Sequence, residues 1–160
     1  MIAPPSSPSR VKATYAIPQT SLNLNLVLGL DLPLPFASIH SCLTGAISVA
    51  SDHNPNSPIP ATVLHFQHPR SSSDSGASFA IVGDPVFGTD ELHWRDVVET
   101  LRGLKEWIEG RQERGEPCVE LWYRVVEGGG EGRGEIGNGF VRKREGDNGK
   151  ALNERVETGD

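Results

Sequence analysis

Leucine occupies every second position from Leu22 to Leu30, and Asn23, Asn25, Val27 and Gly29 fill the gaps. Successive side chains of a strand point to opposite faces, so residues 21–31 read as a strand with one apolar and one wettable face. Such a strand belongs to a sheet covered on a single side. Pro33 and Pro35 end it, and the period then changes. Phe36, Ile39, Leu43, Ile47 and Ala50 recur at helical spacing, Cys42 and Ala46 share their stripe, and Ser38, Ser41, Thr44 and Ser48 lie opposite. This predicts an amphipathic helix over residues 35–52, with Pro35 in its first turn and the breaker-rich segment 53–58 after it.

Residues 61–68 and 77–82 read as two strands, with Leu64, Phe66, Phe79 and Ile81 inward, and the polar loop between them predicts an antiparallel hairpin. Trp94, Val97, Val98, Leu101, Leu104 and Ile108 then form one continuous helical stripe. Thr89 suits the N-cap, Asp90 and Glu91 the first turn, and Gly110, Gly115 and Pro117 the stop. Glu91/Arg95, Arg95/Glu99, Arg102/Glu106 and Lys105/Glu109 stand four apart on the outer side. Residues 118–127 alternate again: Val119, Leu121, Tyr123 and Val125 on one face, Glu120, Trp122, Arg124 and Val126 on the other. A glycine-rich turn over 128–134 leads to a last strand at 136–142, weakened by Gly137 and Gly139.

The expected order is β-α-β-β-α-β-β. An α+β two-layer sandwich of the split βαβ type follows, an antiparallel sheet of four or five strands with both helices on one face. Residues 1–20, rich in Pro and Ser and aperiodic, read as a lead without regular structure. Residues 21–143 form one domain, and 144–160 read as a charged, disordered tail.

Charge narrows the function classes. The formal net charge is −6, so no overall attraction to nucleic acid is expected. Residues 1–90 hold only Arg10, Lys12, Arg70 and five aspartates, so the second half carries most charges, of both signs. No run of 18 apolar residues occurs, which gives no expectation of a membrane span. The first 21 residues lack the apolar core of a secretory signal, so none is visible and the compartment stays open.

Gly132-Arg133-Gly134-Glu135-Ile136-Gly137 matches GxGxxG in letters, but that fingerprint requires a following helix, and Asn138-Gly139-Phe140-Val141 reads as extended. A hairpin turn is the expectation. His65 and His68, three apart on a strand, point to opposite faces and cannot easily share a metal. His40, His53 and His93 stand in no ligand spacing, and no GxSxG elbow occurs. No catalytic, cofactor or metal site is therefore expected. Cys42 and Cys118 fit either reduced core residues or one long-range disulfide, which would imply an oxidising compartment. Trp122, with Glu120 and Arg124 beside it on the presumed open face, is the candidate contact surface, and Trp107 stands off the helical stripe and raises the same question. The resulting expectation is a non-enzymatic binding module whose partner is an unknown protein or the chain itself. The alternative is a secreted effector- or toxin-like protein held by Cys42–Cys118.

Leu92-His93-Trp94-Arg95-Asp96-Val97-Val98, the stretch from Leu101 to Trp107, Val119 to Val125, and Ile136-Gly137-Asn138-Gly139 together resemble small uncharacterised proteins of filamentous ascomycete fungi. The likeness covers about 100 residues, includes the Asn54–Pro60 loop, and reads Ile136–Gly139 as a closing turn. It implies no activity and no catalytic residue; members usually look secreted. The element order is also similar to that of fungal killer toxins and necrosis-inducing effectors, a likeness of topology alone.

Overall fold

The computed structural model describes residues 11–60, 63–68, 76–83, 92–128 and 134–144. Strands β1 (Val11–Ala16), β2 (Leu22–Pro33), β3 (Leu64–His68), β4 (Ala77–Gly83), β5 (Val119–Glu127) and β6 (Gly134–Lys143) and helices α1 (Phe36–Ala50) and α2 (Trp94–Glu113) follow in the order β-β-α-β-β-α-β-β. The six strands make one open sheet, β1-β2-β5-β6-β4-β3, antiparallel at every pairing. The α+β class and the placement of both helices over one face agree with the sequence reading. The number of strands and the split βαβ topology do not: there are six strands, and β5, β6 and β4 stand between β2 and β3, the strands that α1 connects. The extra strand, β1, lies in the stretch read as a structureless lead. It is an edge strand, and only Ala13 and Tyr15 pack against the core. Val11-Lys12-Ala13-Thr14-Tyr15 does alternate apolar and polar, but the run is five residues long and sits between a Pro- and Ser-rich stretch and Pro18, so the composition around it masks the period.

The alternating leucines behave as their period requires. Leu22, Leu24, Leu26 and Leu28 are buried on the inner face, and Asn25 is exposed on the outer one. Leu30 does not follow: it is 41% exposed. The β2–β5 register shifts between Gly29 and Pro33, and Leu30 lies within that irregular stretch, where the leucine parity is not kept. Leu34 takes over beyond the shift, buried, with its N–H donating to the Cys118 carbonyl at 3.0 Å.

α1 covers β3 and β4, α2 covers β1 and β2, and the two helices pack against each other. Ile39, Cys42, Leu43, Ala46 and Ala50 meet the sheet from α1, and Trp94, Val97, Leu101, Leu104 and Ile108 from α2. α2 comes close to the β1–β2 hairpin because position 103 has no side chain. A Cβ there would stand 2.7 Å from Ile17.

α2 begins at Trp94, later than Thr89 would have placed it; residues 84–91 lie outside the described residues. His93 is the N-cap. Its ring accepts from the Asp96 N–H, and the Asp96 carboxylate accepts from the His93 N–H at 3.0 Å. The 51–60 loop satisfies two more terminal amides: Trp94 N–H donates to the Ser57 carbonyl and Arg95 N–H to that of Pro55, both at 3.0 Å. The helix also runs through Gly110 and stops at Gly115, whose φ is 73°. Glu116 N–H reaches the Arg111 carbonyl and Gly115 N–H that of Gln112, a Schellman closure that needs a left-handed residue at 115.

Ile136–Gly139 is not a turn. It lies inside β6, paired to β4 and β5, so no helix follows Gly132–Gly137 either. The glycine at 139 has a packing role. Tyr123 stands opposite it on β5 and passes its hydroxyl across the gap to the buried Ala80 carbonyl of β4, at 2.7 Å. Burial holds the Tyr123 phenol well above its ordinary pKa.

Candidate functional site

The face of the sheet away from the helices carries a second, smaller apolar cluster: Trp122, Phe140 and Ala80, with Leu32 packed against them. Register explains the grouping. Lys12 pairs with Val27, Val27 with Trp122, Trp122 with Phe140, Phe140 with Ala80 and Ala80 with His65, so one row crosses all six strands. The neighbouring row is polar: Thr14, Asn25, Arg124 and Asn138 stand side by side. Cross-strand neighbours on one face are close enough to touch, which turns a sequence parity into a surface.

The structure brings Trp122, Arg124 and Glu120 to this face together. It departs from the expected open aromatic in one respect: Trp122 is only 8% exposed. Leu32, within the β2 register shift, packs against it, and Gly29 leaves room for both side chains, since a Cβ there would meet Leu32 at 2.9 Å and Trp122 at 3.4 Å. Phe140 is capped in turn by the Arg142 guanidinium, 3.8 Å from its ring centre, and meets His65 edge-on. Arg124 is exposed and lies 3.7 Å from the Glu135 carboxylate. Glu120 accepts from the Lys143 N–H at 2.7 Å, so its carboxylate is partly committed to holding the end of β6. Phe140, Leu32 and Arg142 escaped the sequence reading because a strand partner is set by register, which no local pattern states. Tyr15 lies on the helix side of the sheet and donates to Glu106 at 3.0 Å.

Two other features sit between the helices. His53 stacks on Trp94, ring centres 3.7 Å apart and planes within 4°, beside an open cleft of about 200 Å³ that Arg95, Glu99 and Arg102 also line. Burial, then the nearby Asp96 charge, raises the Glu99 pKa, with Arg95 and Arg102 opposing. Farther along, His40 on α1 and Lys105 on α2 both bind Glu109, at 2.9 and 3.1 Å, and these bonds lower the Glu109 pKa. The His40–Glu109 contact joins residues 69 apart, which no sequence spacing could show. Trp107 is half-buried against the main core, with Arg111 over its ring at 5.2 Å.

The cysteines are not bridged. Cys42 and Cys118 are both free and buried. Cys42 packs above β3 and β4, its thiol 3.8 Å from the Phe66 carbonyl, and burial pushes its pKa up to about 12. Cys118 immediately precedes β5, an interior strand that β6 separates from β4. Of the two readings of the cysteine pair, the structure shows the reduced one, two protonated core thiols, and the disulfide-held toxin reading loses its support. Among the described residues no group of three or more His, Cys, Asp or Glu side chains could hold a metal, and no helix is long and apolar enough to cross a membrane. The chain matches no protein-family model, no curated sequence and no solved structure.

Proposed function

We propose that this chain is a non-enzymatic binding module that meets a protein partner through the outer face of its sheet. One observation carries the reading: a second apolar cluster, built on Trp122 and Phe140, sits on the face that neither helix covers. Half-buried Val27 continues that row toward β1, and Arg124, Glu120 and Arg142 rim it with both charges. A buried aromatic centre with a polar rim is how protein contacts concentrate their energy. Leu32 would be the residue that moves to admit the partner, because its side chain is the lid on Trp122.

The first partner to test is an identical subunit. Sedimentation velocity over a concentration series compares wild type with Val27→Lys/Arg124→Glu, which alters the face without emptying its core. The reading expects concentration-dependent association in wild type and its loss in the variant, with unchanged circular dichroism. Equal association of both proteins, or none in either, overturns the reading in this form.

A further inference from the structure

We propose that two copies of this chain join edge to edge through β1, antiparallel, about a two-fold axis beside Ala13. β1 ends the sheet: β2 pairs with one side, and no described residue pairs with the other. Every second residue of a terminal strand aims its N–H and C=O away from the sheet, a template for another strand. Edges are ordinarily blunted by proline, bulges, shortness or charge. β1 is in unbroken register over its whole length, from Val11↔Leu28 to Ala16↔Asn23, and contains no proline. Lys12 is its single charge.

The strand is also complementary to itself. A two-fold axis perpendicular to the sheet keeps inner residues beside inner residues, so the register must match positions of equal parity. Centred on Ala13, it sets Ala13 against the partner's Ala13, Lys12 against the partner's Thr14, and Val11 against the partner's Tyr15. No like charges face each other. Val11, 47% exposed and the most exposed large apolar residue described, is covered by a Tyr15 ring that Glu106 already holds in place. The contact is made by backbone groups at the sheet edge, with Lys12 and Thr14 the outer-face side chains that flank it, and it uses none of Trp122, Phe140, Leu32 and Arg124. A strand pair alone buries less than the ~1,200 Å² of a standard stable interface. The association is therefore weak, and covalent trapping is the right probe.

The test uses the full chain with single cysteines introduced as Ala13→Cys, Thr14→Cys or Val27→Cys. The native Cys42 and Cys118 are buried and serve as the background. Under mild oxidation Ala13→Cys, opposite itself across the axis, forms a dimer at twice 17.3 kDa on a non-reducing gel, at least about tenfold more than the other two. Val11→Asp added to Ala13→Cys places a charge against the partner's Tyr15 and lowers the yield about tenfold, with the fold intact by circular dichroism. Three results overturn the proposal: no dimer from Ala13→Cys, preferential linkage at Thr14→Cys, which moves the axis, or preferential linkage at Val27→Cys, which puts the contact on the face.

Discussion

Gly139→Ala tests how the sheet is closed at β6. A Cβ at this position runs into the Ala80 carbonyl oxygen and comes within 2.6 Å of the Tyr123 hydroxyl. The first obstacle is backbone and cannot rotate aside; the second is one partner of the buried 2.7 Å Tyr123–Ala80 hydrogen bond. Overpacking a filled interior costs about 1–3 kcal/mol. Orphaning a buried polar group costs about 1–3 kcal/mol more. The sum, about 2–6 kcal/mol, is a large share of the ~5–15 kcal/mol that holds a domain together. With a urea slope of about 2 kcal/mol per molar, the midpoint falls by about 1–3 M. Tyr123→Phe removes the hydrogen bond alone and costs about 1–3 kcal/mol. The assay is urea unfolding followed by far-ultraviolet circular dichroism. Gly45→Ala is the control: it is a helix-interior glycine with no atom within 4 Å of an added Cβ, and it gains about 0.5–1 kcal/mol. Gly139→Ala within about 0.5 kcal/mol of wild type would refute the packing account of β6.

The inner and outer leucines separate cleanly: Leu24→Ala, at 0% exposure, costs about 2–5 kcal/mol in the same assay, whereas Leu30→Ala, within the register shift and 41% exposed, stays within about 0.5. Thiol titration with an aromatic disulfide at pH 8 leaves Cys42 unreacted in the native protein, because a pKa of about 12 leaves roughly one thiolate in ten thousand. Both thiols react once the chain is denatured without reductant; a protein that releases none is bridged and refutes the free-thiol assignment. Glu109 titrates lower in the folded state than in the unfolded one, so its contribution is complete above the ordinary glutamate range and is lost as pH falls through the folded value. Glu109→Gln is accordingly less stable than wild type at neutral pH by under about 1 kcal/mol, since the group is over a third exposed, and the gap closes in acid. A gap that widens as pH falls would reverse the assigned sign.

Local pattern by itself determined most of the elements. The leucine alternation made β2 half-buried, the 3.6-residue stripes made α1 and α2, and the alternation in 119–125 put Trp122 on the face away from the helices, because parity and helical periodicity are properties of neighbouring residues. Tertiary structure decided what local periods do not encode. A strand such as β1, whose alternation spans only Val11–Tyr15, is fixed in place because β2 offers it a partner. One register shift ejects Leu30 and lets Leu32 cover Trp122. Strand order brings Phe140 beside Trp122 and keeps Cys42 apart from Cys118. Each of these depends on which strand lies next to which and in what register, a choice made by the global burial of apolar surface, where residues far apart in the chain compete for the same neighbours.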